Sequence, residues 1–281
     1  MEIFLYLIIF FIGTVFGSFF TLAVYRIPLN KNITHERSFC PECNHRLEFW
    51  DLIPVWSYIF LKGKCRYCKA KVRPRYLILE IVSGIVFVLA FISMKINILD
   101  ISYLYLGINQ NNVIQKLIYL LAFIFFYITN ALIIGIDKEY KKINKKVLIF
   151  GFITEMIYIL YLYIFESINI YRYGIYLILL IVLLIIVGVD AHIDPKIKYI
   201  IQNLIYLTYI MMFINNLNII FVIIIAMVVG FGLDRTVKRV WSRPNPTQNF
   251  KKQNININQI PIGFCLGISS IITVIMQNFI K

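Results

Sequence analysis

Acidic side chains are scarce in this chain: 14 Asp and Glu stand against 28 Lys and Arg, for a formal net charge of +14. Charged residues of either sign amount to only 15%. The long Ile- and Leu-rich runs have no polar face, which argues against the amphipathic helices of a soluble bundle, where a polar stripe opposes the apolar one. The opening Met-Glu has no basic stretch around it and no small-x-small cleavage site follows, so residues 3–25 read as a retained helix and not a removed secretory signal. No low-complexity domain interrupts the chain; the Asn-rich stretch 253–258 is a short polar linker. What is abundant is apolar: 60% of residues, with a mean hydropathy of +0.79, well above an ordinary soluble domain.

A helix that crosses a bilayer takes about 20 largely apolar residues. Eight segments qualify, at 3–25, 76–95, 117–136, 147–165, 174–189, 199–214, 217–233 and 261–279, which predicts an all-α polytopic membrane protein. Orientation follows from Lys and Arg, which concentrate in cytoplasmic loops. Segment 26–75 holds 11 of the 28, 138–146 five, 196–198 two and 235–252 six. The alternate loops hold almost none beyond Lys95, Lys116 and Arg172. An inward first crossing puts all four basic segments in the cytoplasm and both termini outside. The positive balance then reads as topology and contact with anionic lipid headgroups, not as nucleic-acid binding.

Cys40-Pro-Glu-Cys43 and Cys65-Arg-Tyr-Cys68 are two C-x2-C pairs separated by 21 residues within the first basic loop. Each short turn aims two sulfurs at one point, the pattern of a tetrahedral structural Zn²⁺ site. A redox dithiol pair is the alternative, and a reducing cytoplasm speaks against it. His35 and His45 flank the first pair and read as surface residues. Cys265 falls in the last apolar segment and reads as a small buried hydrophobe.

Carboxylates at the edges of apolar spans call for a partner or a role. Asp137 ends the third span, and Asp190 and Asp194 follow the fifth on the same expected side. Two carboxylates at one depth are the minimum equipment of an aspartic protease, one holding a proton while the other activates water. The alternative is that these acids only cap helix ends. His192, between the two, suits a local hydrogen bond better than a metal. Glu80 lies early in the second span, where the helix ends or Arg75 are possible partners. Glu155 lies near the middle of the fourth span, with no catalytic part assigned.

The strings Gly17-Ser18-Phe19, Tyr25-Arg26-Ile27-Pro28, Ser38-Phe39-Cys40-Pro41, Trp50-Asp51-Leu52-Ile53-Pro54, Lys64-Cys65-Arg66-Tyr67-Cys68 and Arg73-Pro74-Arg75-Tyr76 closely resemble the amino-terminal region of bacterial type IV prepilin peptidases. Those are polytopic membrane aspartic proteases. Further on, Ile260-Pro261-Ile262-Gly263 resembles the opening of that family's final helix. The resemblance implies that Asp137 is the first catalytic acid and Asp194, with Lys196 two residues later, the second. Two departures stand out. Ala191 and Ile193 replace both glycines of the family's Gly-x-Gly-Asp, and Ile143-Asn144 replaces Ile-Pro. Asp190, preceded by Gly188, therefore competes for the second role.

The resemblance further implies removal of the leader from prepilin or pseudopilin precursors at a bacterial cytoplasmic membrane. Proteolysis needs no cofactor, structural zinc folds the insertion, and S-adenosylmethionine would serve a second, N-methylating activity. The expected organisation is a first helix over 1–25, a cytoplasmic four-Cys loop over 26–75 and a protease domain over 76–281. The rival reading is a non-catalytic membrane scaffold that binds pilin precursors or assembly proteins.

Overall fold

The computed structural model describes residues 2–33, 38–40, 42–97, 100, 102, 110–166, 168, 171–189, 194–214, 218–240 and 261–280, with side chains described for all of these except 110, 187–189 and 231–240. Two compact units divide between Leu121 and Ala122.

In the first unit, helix α1 (Glu2–Arg26) lies antiparallel to α3 (Pro74–Ser93), which starts on a proline whose missing N–H costs nothing in a first helical turn. Their closeness has a sequence cause. Gly13 and Gly17 stand four residues apart on one face of α1, the spacing that lets two helix backbones meet. A Cβ at Gly13 would lie 2.8 Å from Gly84 Cα, and one at Gly17 would lie 2.8 Å from Glu80 Cα. The opposite face of α1 exposes Phe4, Leu7, Phe11, Val15 and Phe19. Only 22% of its apolar window is covered by protein, which leaves the rest for lipid. Between the two helices come a 3-10 turn (Phe49–Asp51) and a short helix α2 (Trp56–Phe60). Helix α4 (Gln110–Tyr140) begins in this unit and continues into the next.

The second unit holds the rest of α4 with α5 (Lys145–Glu166), α6 (Tyr171–Val189), α7 (Pro195–Phe213), α8 (Ile219–Val240) and α9 (Ile262–Ile280). Helix α7 touches α5, α6 and α9 and is buried on most sides, from Tyr199 to Met212. That position accounts for its polar side chains. Gln202, Asn203 and Thr208 face protein, not lipid. Asn130 on α4 accepts hydrogen bonds from Tyr206 of α7 and from Ser270 of α9, the latter at 3.0 Å, so one buried amide joins three helices. Phe126 stacks on Phe213 and Tyr209 at 4.2 and 5.5 Å beside this network.

Each of the eight expected spans is a helix. Among the described residues, five of them, α1, α3, α4, α5 and α9, are long and apolar enough to cross a membrane, and α6 and α8 are apolar over Tyr171–Ile186 and Ile219–Gly230. The fold is all-α, with no strand among the described residues beyond isolated bridges.

Candidate functional sites

The thiolate cluster is built from two copies of one turn. Cys40 N–H donates to His45 O and Asn44 N–H donates back to Cys40 O, at 2.9 and 2.8 Å. Twenty-five positions later the pattern repeats: Cys65 N–H to Ala70 O at 2.8 Å and Lys69 N–H to Cys65 O at 3.1 Å. The reversal falls at Asn44 and Lys69, whose φ values of 55° and 59° lie in the left-handed region. Each copy is closed by a bridge, Phe39 with Arg46 and Lys64 with Lys71.

These paired knuckles bring the sulfurs of Cys40, Cys43, Cys65 and Cys68 within 4.8 Å of one another, with Cys40 and Cys68 at 3.8 Å. A tetrahedron with Zn–S bonds of about 2.3 Å has edges of about 3.8 Å, so the donor set fits zinc. None of the five cysteines is in a disulfide. The Cys68 N–H outweighs burial and holds the Cys65 thiol down at about 7, as a metal ligand requires. The Ala70 N–H favours the Cys68 thiolate, but burial and the neighbouring sulfurs overcome it and push that thiol to about 12. Four sulfurs this close cannot all ionise without a cation among them. His45 stacks on Tyr67 at 3.6 Å and takes no part in the cluster, while His35 lies outside the described residues.

A second contact fixes the loop. Asp51 accepts from Arg66 Nε at 2.6 Å and from Tyr67 OH at 3.3 Å, tying the 3-10 turn to the second knuckle. Burial alone would raise the Asp51 carboxyl; the Arg66 guanidinium and the Glu48 N–H more than offset it and hold the group below its ordinary value.

Asp137, near the end of α4, is fully buried. Its Oδ1 accepts from Tyr199 OH at 2.8 Å and its Oδ2 from Phe264 N–H at 2.9 Å. Tyr199 OH in turn accepts from Ile262 N–H at 3.1 Å. Asp137 and Tyr199 therefore satisfy the free N–H groups that open α9, where the helix dipole favours a carboxylate. Gly263 permits the approach: a Cβ there would sit 3.2 Å from Asp137 Oδ2 and 3.2 Å from Asn203 Oδ1. Sequence reasoning named Asp137 but missed Tyr199 and Phe264. Pro261-Ile262-Gly263, a helix start with a missing side chain, was the one local signal.

Asp194 is exposed and caps its own helix, its Oδ1 accepting from Lys196 N–H at 2.9 Å. Tyr199 lies five residues further on, about 7.5 Å along the axis, so the start of α7 runs towards Asp137. No hydrogen bond joins the two carboxylates among the described residues. Asp190, Ala191, His192 and Ile193 lie outside the described residues. Glu80 on α3 accepts from Val55 N–H at 2.7 Å. Glu155 is buried in a cavity of about 10 Å³ lined by Thr154, Tyr158 and Tyr209 among others, and neither of its oxygens has a hydrogen-bond partner among the described residues.

Residues 11–94 match the family of the bacterial peptidase A24 N-terminal domain. The chain is similar to a prepilin leader peptidase/N-methyltransferase of Klebsiella pneumoniae, 39% identical over 84 residues, which cover 28% of this chain and 37% of the relative. A protein of the same name from Bacillus subtilis is 38% identical over 91 residues, 32% of this chain and 37% of the relative. A third, from Myxococcus xanthus, is 35% identical over 79 residues, 28% of this chain and 24% of the relative. The matched stretch thus spans about a third or less of these curated relatives. No solved structure matches.

Proposed function

We propose that this chain, whose residues 11–94 match the bacterial peptidase A24 N-terminal domain, belongs with the type IV prepilin peptidases that it resembles and is a multi-pass membrane aspartic endopeptidase that removes the leader from prepilin-like precursors. The observation that carries the reading beyond the amino-terminal third is the setting of Asp137. A carboxylate held by a tyrosine hydroxyl and a helix N-terminus is fixed in orientation, and each oxygen keeps a lone pair for a further proton. The second acid is Asp194, with Asp190 as its competitor. One carboxylate takes a proton from the attacking water while the other gives its proton to the peptide carbonyl oxygen. A proton then passes to the leaving amine as the carbon–nitrogen bond breaks. Proteolysis in this scheme uses no cofactor. The four basic segments and both acids face the cytoplasm, where the leader junction would emerge from the bilayer.

Cys40, Cys43, Cys65 and Cys68 would hold a structural Zn²⁺, which supplies the loop with a cross-link and takes no part in cleavage. The relatives' name also carries an N-methyltransferase, so S-adenosylmethionine is a candidate second substrate. A cavity of about 710 Å³ in the first unit does not fit it. Its lining is aromatic and aliphatic apart from Ser57 and Arg66, with no carboxylate among the described residues to face a sulfonium. Methyl transfer rests on the relatives' name, and the mass of the processed pilin's new amino terminus tests it separately.

The scaffold reading keeps three specific supports. Asp194 is engaged as a helix cap, Asp137 is sealed, and the motif glycines are replaced by Ala191 and Ile193. Co-expression with a prepilin from the same cell separates the two. Peptidase activity yields the shortened pilin, whereas a scaffold retains the full precursor in a complex.

A further inference from the structure

The middle of the four-Cys loop is built to sit in a bilayer rather than in water. Phe49, Trp50, Leu52, Trp56, Ile59 and Phe60 are all exposed, Phe49 and Phe60 to 74%. A soluble loop does not present six large apolar groups over a dozen residues without something to cover them. Within 49–61 the charged residue is Asp51, and it is paired with Arg66.

The position of this segment along the helices says what covers it. Val55 donates its N–H to Glu80, six residues into α3 and so about 9 Å from that helix's start. Phe11, fifteen residues before the end of α1 and about 22 Å along it, shares the 710 Å³ cavity with Trp50, Trp56 and Phe60. The segment therefore runs beside the apolar parts of α1 and α3 and not beyond their ends. Those helices also expose apolar side chains, Phe11, Ile12 and Val15 on α1 and Ile78, Leu79 and Val82 on α3. Basic residues bracket it, Arg46 before and Lys62, Lys64, Lys69 and Lys71 after. An apolar body with aromatic anchors and basic flanks is the make-up of a segment embedded from the membrane interface.

The backbone meets the same demand. Irregular chain at membrane depth must have its polar groups satisfied within the protein. Val55, with φ of 64°, opens α2 in a conformation that a β-branched residue rarely adopts, and Glu80 takes its N–H.

We propose that Phe49–Leu61 is an interfacial segment embedded in the lipid leaflet at the Arg26/Pro74 end of α1 and α3, anchored by the Val55–Glu80 hydrogen bond. The inference does not depend on peptidase activity.

Three tryptophans allow a direct test. In Trp241→Phe, Trp50 and Trp56 are the reporters. The full chain is reconstituted in vesicles of phosphatidylcholine and phosphatidylglycerol, with bromine on the shallow acyl carbons of the phosphatidylcholine. Bromolipid should remove most of the emission and aqueous acrylamide little. In the same background Glu80→Ala should reverse that preference while the zinc content holds. Strong acrylamide quenching with none by bromolipid would place the segment in water and overturn the proposal. Weak quenching by both would mean that protein, a second copy or a bound precursor, covers it, and would overturn it equally. No change on Glu80→Ala would overturn the anchor.

Discussion

Asp137 and Asp194 separate a catalytic role from a structural one, because each makes hydrogen bonds that an isostere preserves to a different degree. Asp194→Asn keeps a good helix cap. It should leave protein abundance intact and, if Asp194 is the second acid, abolish leader removal. Asp190→Asn should leave substantial cleavage. The opposite pair of results, from mass analysis of the pilin, would move the second acid to Asp190. Tyr199→Phe removes a donor to Asp137 and the acceptor of the Ile262 N–H, and should cost about 1–3 kcal/mol of stability as measured by thermal unfolding in detergent. Asp137 itself was legible from its place at the end of an apolar run. Its partners were not, because Tyr199 and Phe264 are 62 and 127 residues away and each, read locally, is an ordinary aromatic.

Elements were more legible than contacts. Long apolar runs identified eight helices, since lipid on one side and protein on the other tolerate the same side chains. The C-x2-C spacing identified the cluster, although the equivalence of its two turns shows only in the hydrogen bonds around Asn44 and Lys69. Chelation, or Ser at any one of the four cysteines, should open residues 38–75 to limited proteolysis and leave α1 and α3 inserted. Loss of about one Zn²⁺ per chain should accompany it. A metal-free protein with an intact loop would contradict the structural role. The small-residue face of α1 was a signal not used. Gly17→Ala places a Cβ 2.8 Å from backbone atoms of Glu80 and Leu79 and should destabilise the α1–α3 pair. The cost should be about 1–3 kcal/mol, read by thermal unfolding.

For the whole molecule, reporter fusions at 142 and 245 should report cytoplasm, and fusions at 105, 168 and 216 the outside. A cytoplasmic signal at 168 would put Asp137 and Asp194 on opposite sides and end any shared chemistry. The account stands most directly on one measurement: mass analysis of a native prepilin incubated in membranes with the wild-type chain and with Asp137→Asn. The prediction is a pilin shortened by its leader with the wild type and an uncut precursor with Asp137→Asn at equal protein level. A precursor left whole by the wild type, or cut equally by both, would contradict it.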